Sequence, residues 1–499
     1  MEKSTKPSYE QGEQGNVPIL FYISFGFSFF WMLLLTGLLN GSMAQALASP
    51  VPILASTPAA LCLGLVIANL TTSFKCDYFS TKIGNGILNA MSVIGPLAPS
   101  AVLVCVIVMQ VQPPAFVNDI AWGIMGLGIG CLLAIWSEIL EGFTKKFSSR
   151  VAAVSVIIGA ILYFTISNIE LPLSICAVCL AAPTSLILQY FLRGEVPPVE
   201  FVSRAESLKR HKLTWPIDVL NCLYGAVFGL ALCMLSQSLN SMFAFAGIAL
   251  AATVGGLIMI FVFNKNRERM MHGSVQRKIF PALVIGLLPM PFVDDGLQTL
   301  CLLIILVSFV CLVIVDLDAL YLLTKKYHVG ALYLVGRGQS PIFLGVGLGY
   351  LLAFISMSSG AFDSGQLSLV SLVLVIVLSL SVSFIDFDKD HLEDEREPQE
   401  TAPRVPEDVS GRMPWKTKCA AVAEKYDLST REIEVFALLA RGRGTTYIQE
   451  KLFISPHTVK THVYKIYRKL GINSREELIT LVEEEPLDGD AVDEGHAGQ

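Results

Sequence analysis

Twelve long apolar stretches limit this chain more than any other feature. Each is close to the roughly 20 residues that carry a helix across a bilayer. Within the hydrocarbon a backbone must satisfy its own hydrogen bonds, so runs of this length predict membrane helices. By residue number they cover 17–39, 51–72, 87–110, 120–140, 151–168, 171–192, 217–237, 242–264, 279–293, 297–323, 341–359 and 367–385. Of the 499 residues, 53% are hydrophobic and only 16% charged, and the mean hydropathy of +0.60 does not describe a soluble protein. The ninth stretch is the weakest, because Pro281, Pro289 and Pro291 punctuate it. Residues 1–16 form a polar tail without the shape of a cleavable signal peptide.

Lysine and arginine alternate along these stretches. Lys75 and Lys82 follow the second, Lys145, Lys146 and Arg150 the fourth, and Arg193, Arg204, Lys209, Arg210 and Lys212 the sixth. Lys265, Arg267, Arg269, Arg277 and Lys278 follow the eighth, and Lys325, Lys326 and Arg337 the tenth. The intervening loops, near Gly41, Pro113, Ile169, Leu239, Asp294 and Asp363, contain none. Short basic loops stay cytoplasmic, so every second loop is expected there, and an even count puts both termini on that side.

A different kind of segment follows the membrane stretches. Ser429 and Glu432 have the spacing of a capping box, and Ile433, Val435, Phe436, Leu438 and Leu439 give the helix they open an apolar face. Arg441-Gly442 ends it, Thr445 caps a short second helix, and Phe453-Ile454 makes a turn. Ser455 and Pro456 then start a third helix that runs to Leu470 and stops at Gly471. Val459, Val463, Ile466 and Leu470 recur on one side of it, leaving Lys460, Thr461, Tyr464, Lys465 and Arg468 on the other. An apolar back with a basic, hydrogen-bonding front suits the DNA major groove, although a solvated basic face on a small bundle has the same pattern. The order "STRE", "LFIS", "TVKTHV", "RKLGI" closely resembles the LuxR-type transcription regulators of bacteria.

That resemblance implies that residues 456–470 are the recognition helix. Lys460, Thr461 and Tyr464 would face base edges, while Thr458, Lys465, Arg468 and Lys469 would hold or steer toward phosphates. It also implies a fourth helix, capped by Asn473 or Ser474 and running to Val482, that pairs two copies into a homodimer. Double-stranded promoter DNA is the expected partner, beside the lipid bilayer.

The six-plus-six layout, divided by the loop at residues 193–216, resembles the major facilitator superfamily, whose two halves enclose a midplane cavity. Asp77 and Lys82 are similar to that family's acidic-basic loop signature, but Ser80 and Thr81 stand where a glycine and an arginine are expected. The ionisable residues inside the stretches are few and acidic: Glu138, Asp218, Asp316 and Asp318. They are functional candidates, or partners for Lys145, Lys146, Lys325 or Lys326. Interrupted helices point to a cavity, so Pro96, Pro99 and Pro289 are candidate ligand contacts. The aromatic run from Phe21 to Trp31 adds Phe25, although such a run also packs against neighbours or faces lipid. Cys176 and Cys179 form a C-x-x-C inside an apolar stretch, with no His or carboxylate nearby. No cofactor, metal site or catalytic constellation is expected, so the chain does not read as an enzyme.

The expected fold class is all-α: a polytopic bundle of about twelve membrane helices followed by a small soluble four-helix LuxR-type domain. The expected domains are a tail (1–16), a membrane domain (17–385), an acidic linker (386–412), the DNA-binding domain (413–483) and an acidic tail (484–499). The linker's run of Asp and Glu with three prolines predicts disorder and a reach of about 25 to 30 Å. No receiver domain precedes the helix-turn-helix. These features favour a one-component regulator in the bacterial inner membrane that senses an unknown small molecule. A transporter carrying a regulatory DNA-binding domain is the alternative.

Overall fold

The computed structural model describes residues 17–39, 57–109, 113–143, 145–192, 202–210, 215–238, 242–265, 272–359, 415–440, 456–472 and 475–484, with isolated residues at 370–380, 448 and 452. Among these every regular element is helical. The chain divides into two units, Met1–Arg396 and Glu397–Gln499.

The first unit contains α1 (Val17–Leu39), α2 (Thr57–Phe74), the short α3 (Cys76–Phe79), α4 (Lys82–Met109), α5 (Ala115–Glu141), α6 (Lys145–Asn168) and α7 (Leu171–Leu192). A connecting helix α8 (Arg204–Arg210) precedes α9 (Trp215–Ser238), α10 (Met242–Lys265), α11 (His272–Leu287), α12 (Asp295–Tyr327) and α13 (Ala331–Ser358). Ten of these are long and apolar enough to cross a membrane. The ninth stretch is the exception, since its apolar part spans only Ile279–Phe292. There α11 ends at Leu287 and Pro289 leads into a single 3₁₀ turn, as the prolines predict. Most of the twelfth stretch lies outside the described residues, as do the polar tail and the linker.

One boundary moves in a way that matters. The proline at 341 suggests a helix start, yet α13 begins at Ala331 and carries Pro341 inside it. Membrane helices tolerate a proline inside them, and in the turn before it the Ser340 hydroxyl donates to the Gly336 carbonyl at 2.6 Å. Arg337, expected in a loop, is therefore part of a membrane helix.

Helix pairing repeats between the halves. In the first half α1 packs on α6, α2 on α5 and α4 on α5; in the second α9 packs on α13, α10 on α12 and α11 on α12. These are equivalent pairs under a six-plus-six repeat. The contacts between halves obey the same relation, α2 meeting α13 and α6 meeting α10. Helices in lipid associate through close van der Waals fit, which small residues permit. A Cβ on Gly345 or Gly349 of α13 would fall on the backbone of Cys222 or Ala226 in α9, and one on Gly225 or Gly229 on the backbone of α13. Between the halves, a Cβ on Gly336 would strike the Asn69 carbonyl.

The aromatic run of α1 serves mainly as core. Phe27, Phe30 and Trp31 are buried. The Trp31 indole donates to the Ser155 hydroxyl of α6 at 3.0 Å, and Trp136 does the same to Ser185 at 2.9 Å. Phe21 and Tyr22 face outward.

The side with the basic loops is tied across the halves. Asp77 accepts the Arg204 backbone amide at 2.8 Å, the Arg204 guanidinium reaches the Phe74 carbonyl, and the Gly330 amide meets the Ser207 hydroxyl at 3.4 Å. Glu141, at the end of α5, accepts the Ala331 amide at 3.1 Å. That amide is one of the unpaired donors at the start of α13, where a carboxylate also meets the positive end of the helix dipole.

Gly349→Leu is expected to force α9 and α13 apart and to lower stability by about 1–3 kcal/mol or more. Gly86→Ala, at a site with open space, should be near neutral. Thermal unfolding of the detergent-solubilised chain reads the difference.

Candidate nucleic-acid interface and intramembrane polar sites

The second unit is built from α14 (Trp415–Lys425), α15 (Thr430–Ala440), α16 (Pro456–Leu470) and α17 (Arg475–Glu484). The sequence pattern predicts the first helix only from Ser429, whereas the unit also contains α14, whose Val422 and Ala423 enter the same core as Val435, Phe436 and Leu439. The weak apolar signal of "WKTKCAAVAEK" explains the omission. The expected elements at 441–447 and 453–455 and the caps at Asn473 and Ser474 lie outside the described residues. Ile433, expected on the apolar face of α15, is exposed. The buried side of that helix is carried by Glu432, Val435, Phe436, Leu439 and Ala440, linked by three- and four-residue steps from Glu432, and Ile433, one residue step round from Glu432, falls at the edge of that face.

The α15 start forms as its spacing predicts. The Ser429 amide donates to Glu432 Oε2 at 2.9 Å. The same oxygen accepts from Lys469 Nζ at 2.9 Å, and that ammonium also donates to the Asp427 carbonyl at 2.7 Å. Asp427 has a left-handed backbone with φ 47°, which an aspartate tolerates better than most residues. Lys469, expected near phosphate, is exposed and in this structure ties the end of α16 to the start of α15. The Lys469 ammonium, and after it the Ser429 amide, holds the buried Glu432 carboxyl down at about 2, well below its ordinary 4.5.

On α16 the two faces separate cleanly. Val459, Ile466 and Leu470 are buried, with Val463 against them. Thr461, Tyr464, Lys465 and Arg468 are exposed, at steps of three and four along one side, and Thr458 is half-buried beside them. For Lys460 the structure describes the backbone position in the helix and not the side chain. The helix ends at Gly471, whose φ of +71° requires glycine, with the Ile472 amide reaching back to the Tyr467 carbonyl at 3.1 Å. This is the expected C-terminal cap.

Within the membrane unit the acidic residues find partners that charge pairing with loop lysines did not anticipate. Asp218 of α9 forms an ion pair with Arg337 of α13. Asp316 of α12 is buried and accepts from Asn221 at 3.0 Å and from Gln339 at 2.6 Å, so one carboxylate joins α9, α12 and α13. Asp318 accepts from the Ser149 hydroxyl of α6. Carboxamides at 221 and 339 carry no charge signal in a sequence, which is why this network was not legible.

The expected ligand contacts do not share one wall. Pro96 and Pro99 are buried in α4, which packs on α5 and α7. Pro289 caps the turn after α11, against α12 in the other half. Phe25 stacks on Phe21 along α1. α4 runs on through Pro96 and Pro99 and comes close to α5: a Cβ on Gly95 would lie 2.7 Å from the Gly128 Cα. That Gly/Pro segment therefore serves close packing.

Comparison with known proteins agrees with this division. The model of bacterial regulatory proteins of the luxR family matches residues 427–482. The chain is 48% identical over 52 residues to the oxygen regulatory protein NreC of Staphylococcus aureus strain JH9, a match of 10% of this chain and 24% of NreC. NreC of strain JH1 matches equally. The chain thus spans about a quarter of the length of these curated relatives. The major facilitator superfamily proton:xylose symporter XylE superposes with a TM-score of 0.54 at 12% identity, over 73% of this chain and 95% of that one. At that identity the likeness concerns the fold.

The Glu432 contribution should be fully present above about pH 4.5 and be lost as the pH falls toward 2. Glu432→Gln should weaken the second unit by about 1.5–3 kcal/mol. Amide hydrogen exchange of residues 430–440 in the full-length chain measures both effects. Residues 427–482 are a LuxR-type DNA-binding domain, joined in one chain to a multi-pass membrane unit with the major facilitator fold.

Proposed function

We propose that this chain is a membrane-embedded, one-component transcription regulator whose membrane unit senses a ligand and whose LuxR-type unit reads promoter DNA. The carrying observation is the covalent union of the two units: a recognition helix with an exposed Thr461-Tyr464-Lys465-Arg468 face on the same chain as a polytopic bundle. Lys460, Thr461 and Tyr464 read base edges, and Thr458, Lys465 and Arg468 hold phosphates. Lys469 acts through its pair with Glu432, positioning the helix. Residues 413–483 form the DNA-binding domain, residues 386–412 its acidic tether, and α17 the surface on which two copies pair. Both termini are in the cytoplasm of a bacterium, with the bundle in its inner membrane, as the alternation of basic loops supports.

Ligand binding biases the bundle between two arrangements. Its contacts between halves, α2 with α13 and α6 with α10 the most extensive among them, are the natural place for such a change, because they must rearrange when the halves rock. A second reading, a transporter with a regulatory domain, is favoured by the buried Asp316 and its carboxamide partners, a polar site inside a membrane fold. Ligand flux in proteoliposomes separates the two.

Lys460→Ala combined with Thr461→Ala is expected to abolish protection of the target promoter in a footprint, while the protein remains in the membrane. Retained protection would remove the assignment. A phosphatase that works only outside the inner membrane, fused after Gln499, is expected to be silent. The same enzyme fused near Gln112 is expected to be active.

A further inference from the structure

The first-unit surface contains a groove where the halves meet. It lies between the first turns of α2 and the middle of α13, with a volume of about 290 Å³. Its walls are almost wholly apolar: Cys62 and Leu63 from α2, and Phe343, Gly347 and Leu351 from α13. The close approach beneath it is set by Gly347, whose Cβ would lie 3.1 Å from that of Cys62. One charged group completes the lining, Asp119 in the second turn of α5. It is half-buried and belongs to the end of the bundle opposite the Arg204–Asp77 tie, since α2 and α5 both start there.

We infer that this groove binds an amphipathic organic cation, its apolar body lying along α2 and α13 and its positive head at Asp119. Charge complementarity selects the occupant. A carboxylate at the mouth of an apolar slot attracts a cation strongly, because low-dielectric walls screen it poorly. It repels an anion of the same shape for the same reason, and a neutral apolar molecule gains nothing from it. The volume is near the lower end of small-molecule sites, and the slot opens sideways through the exposed Leu63 and Leu348, so a bulky body can extend toward lipid. The groove straddles α2 and α13, one from each half, so an occupant bears directly on the contact between the halves. The inference supplies a ligand class for the sensing reading proposed above and rests on it only for its consequence, since binding is measured without DNA.

The test uses radiolabelled tetraphenylphosphonium and the full chain in phosphatidylcholine nanodiscs, with unlabelled tetraphenylphosphonium and the isosteric anion tetraphenylborate as competitors. Saturable binding is expected. It should weaken at least tenfold in Asp119→Asn, persist in Asp119→Glu, and weaken at least tenfold in Leu348→Trp, which fills the slot from an exposed position. The cation should compete and the anion should not. Absence of saturable binding, equal affinity in all variants, or equal competition by the anion would overturn the proposal. Loss of binding when phosphatidylethanolamine replaces phosphatidylcholine would also overturn it, assigning the groove to a lipid ammonium head group. If binding behaves as expected but leaves promoter protection unchanged, the groove stands and the sensing reading falls.

Discussion

In hydrocarbon a backbone amide has no water to turn to, and this single restriction shapes the whole first unit. Each membrane stretch must close its hydrogen bonds within itself, so each becomes a helix. Once formed, those helices gain little from burying apolar surface, because lipid is as apolar as their neighbours. What remains is fit. Glycines in α9 and α13 let two backbones approach until a single methyl group would separate them, and pairs related by the six-plus-six repeat carry the same task. The sparse polar contacts then fix which helices meet: Trp31 with Ser155, Ser73 with the Tyr333 carbonyl, Asp316 with Asn221 and Gln339.

The second unit obeys the opposite solvent. Its helices are short and amphipathic and its core is a single cluster around Phe436, Ile466 and Leu478. Water competes for every polar group, so the few that are buried must be well paired. Glu432 meets that demand three ways at once: it closes the capping box, accepts the Lys469 ammonium, and through Lys469 reaches the Asp427 carbonyl. These bonds tie the start of α15 to the end of α16. A recognition helix needs to be held in place, because base readout depends on side chains arriving at fixed heights in the groove.

The two units meet different physical needs, and the basic residues reflect both. In the membrane unit they gather near helix ends and in every second loop. Arg337 sits inside α13 and pairs with Asp218 of α9. In the DNA-binding unit Lys465, Arg468 and Lys469 are all exposed, and of the three Lys469 bonds to the buried Glu432 carboxylate. Lys465 and Lys469, four residues apart, share one side of the helix, so a single exposed stripe also carries the lysine that ties α16 to α15.

Read alone, the amino-acid order determined the class of both units. Long apolar runs lead to membrane helices, basic residues recur in every second loop, and the segment from Ser429 to Val482 has helix starts, stops and faces written in local chemistry. It also located the proline-broken ninth stretch. Local signals of this kind depend on residues within a turn or two of one another. Tertiary structure decided what lies further apart. It placed the start of α13 ten residues before Pro341, assembled Asp316 with two carboxamides from other helices, turned the prolines of α4 toward packing, and brought Asp119 to a groove made by α2 and α13. Uncharged amides and glycines look alike in any apolar run, and only the close approach of helices distant in sequence distinguishes those that hold a partner from those that merely fill space.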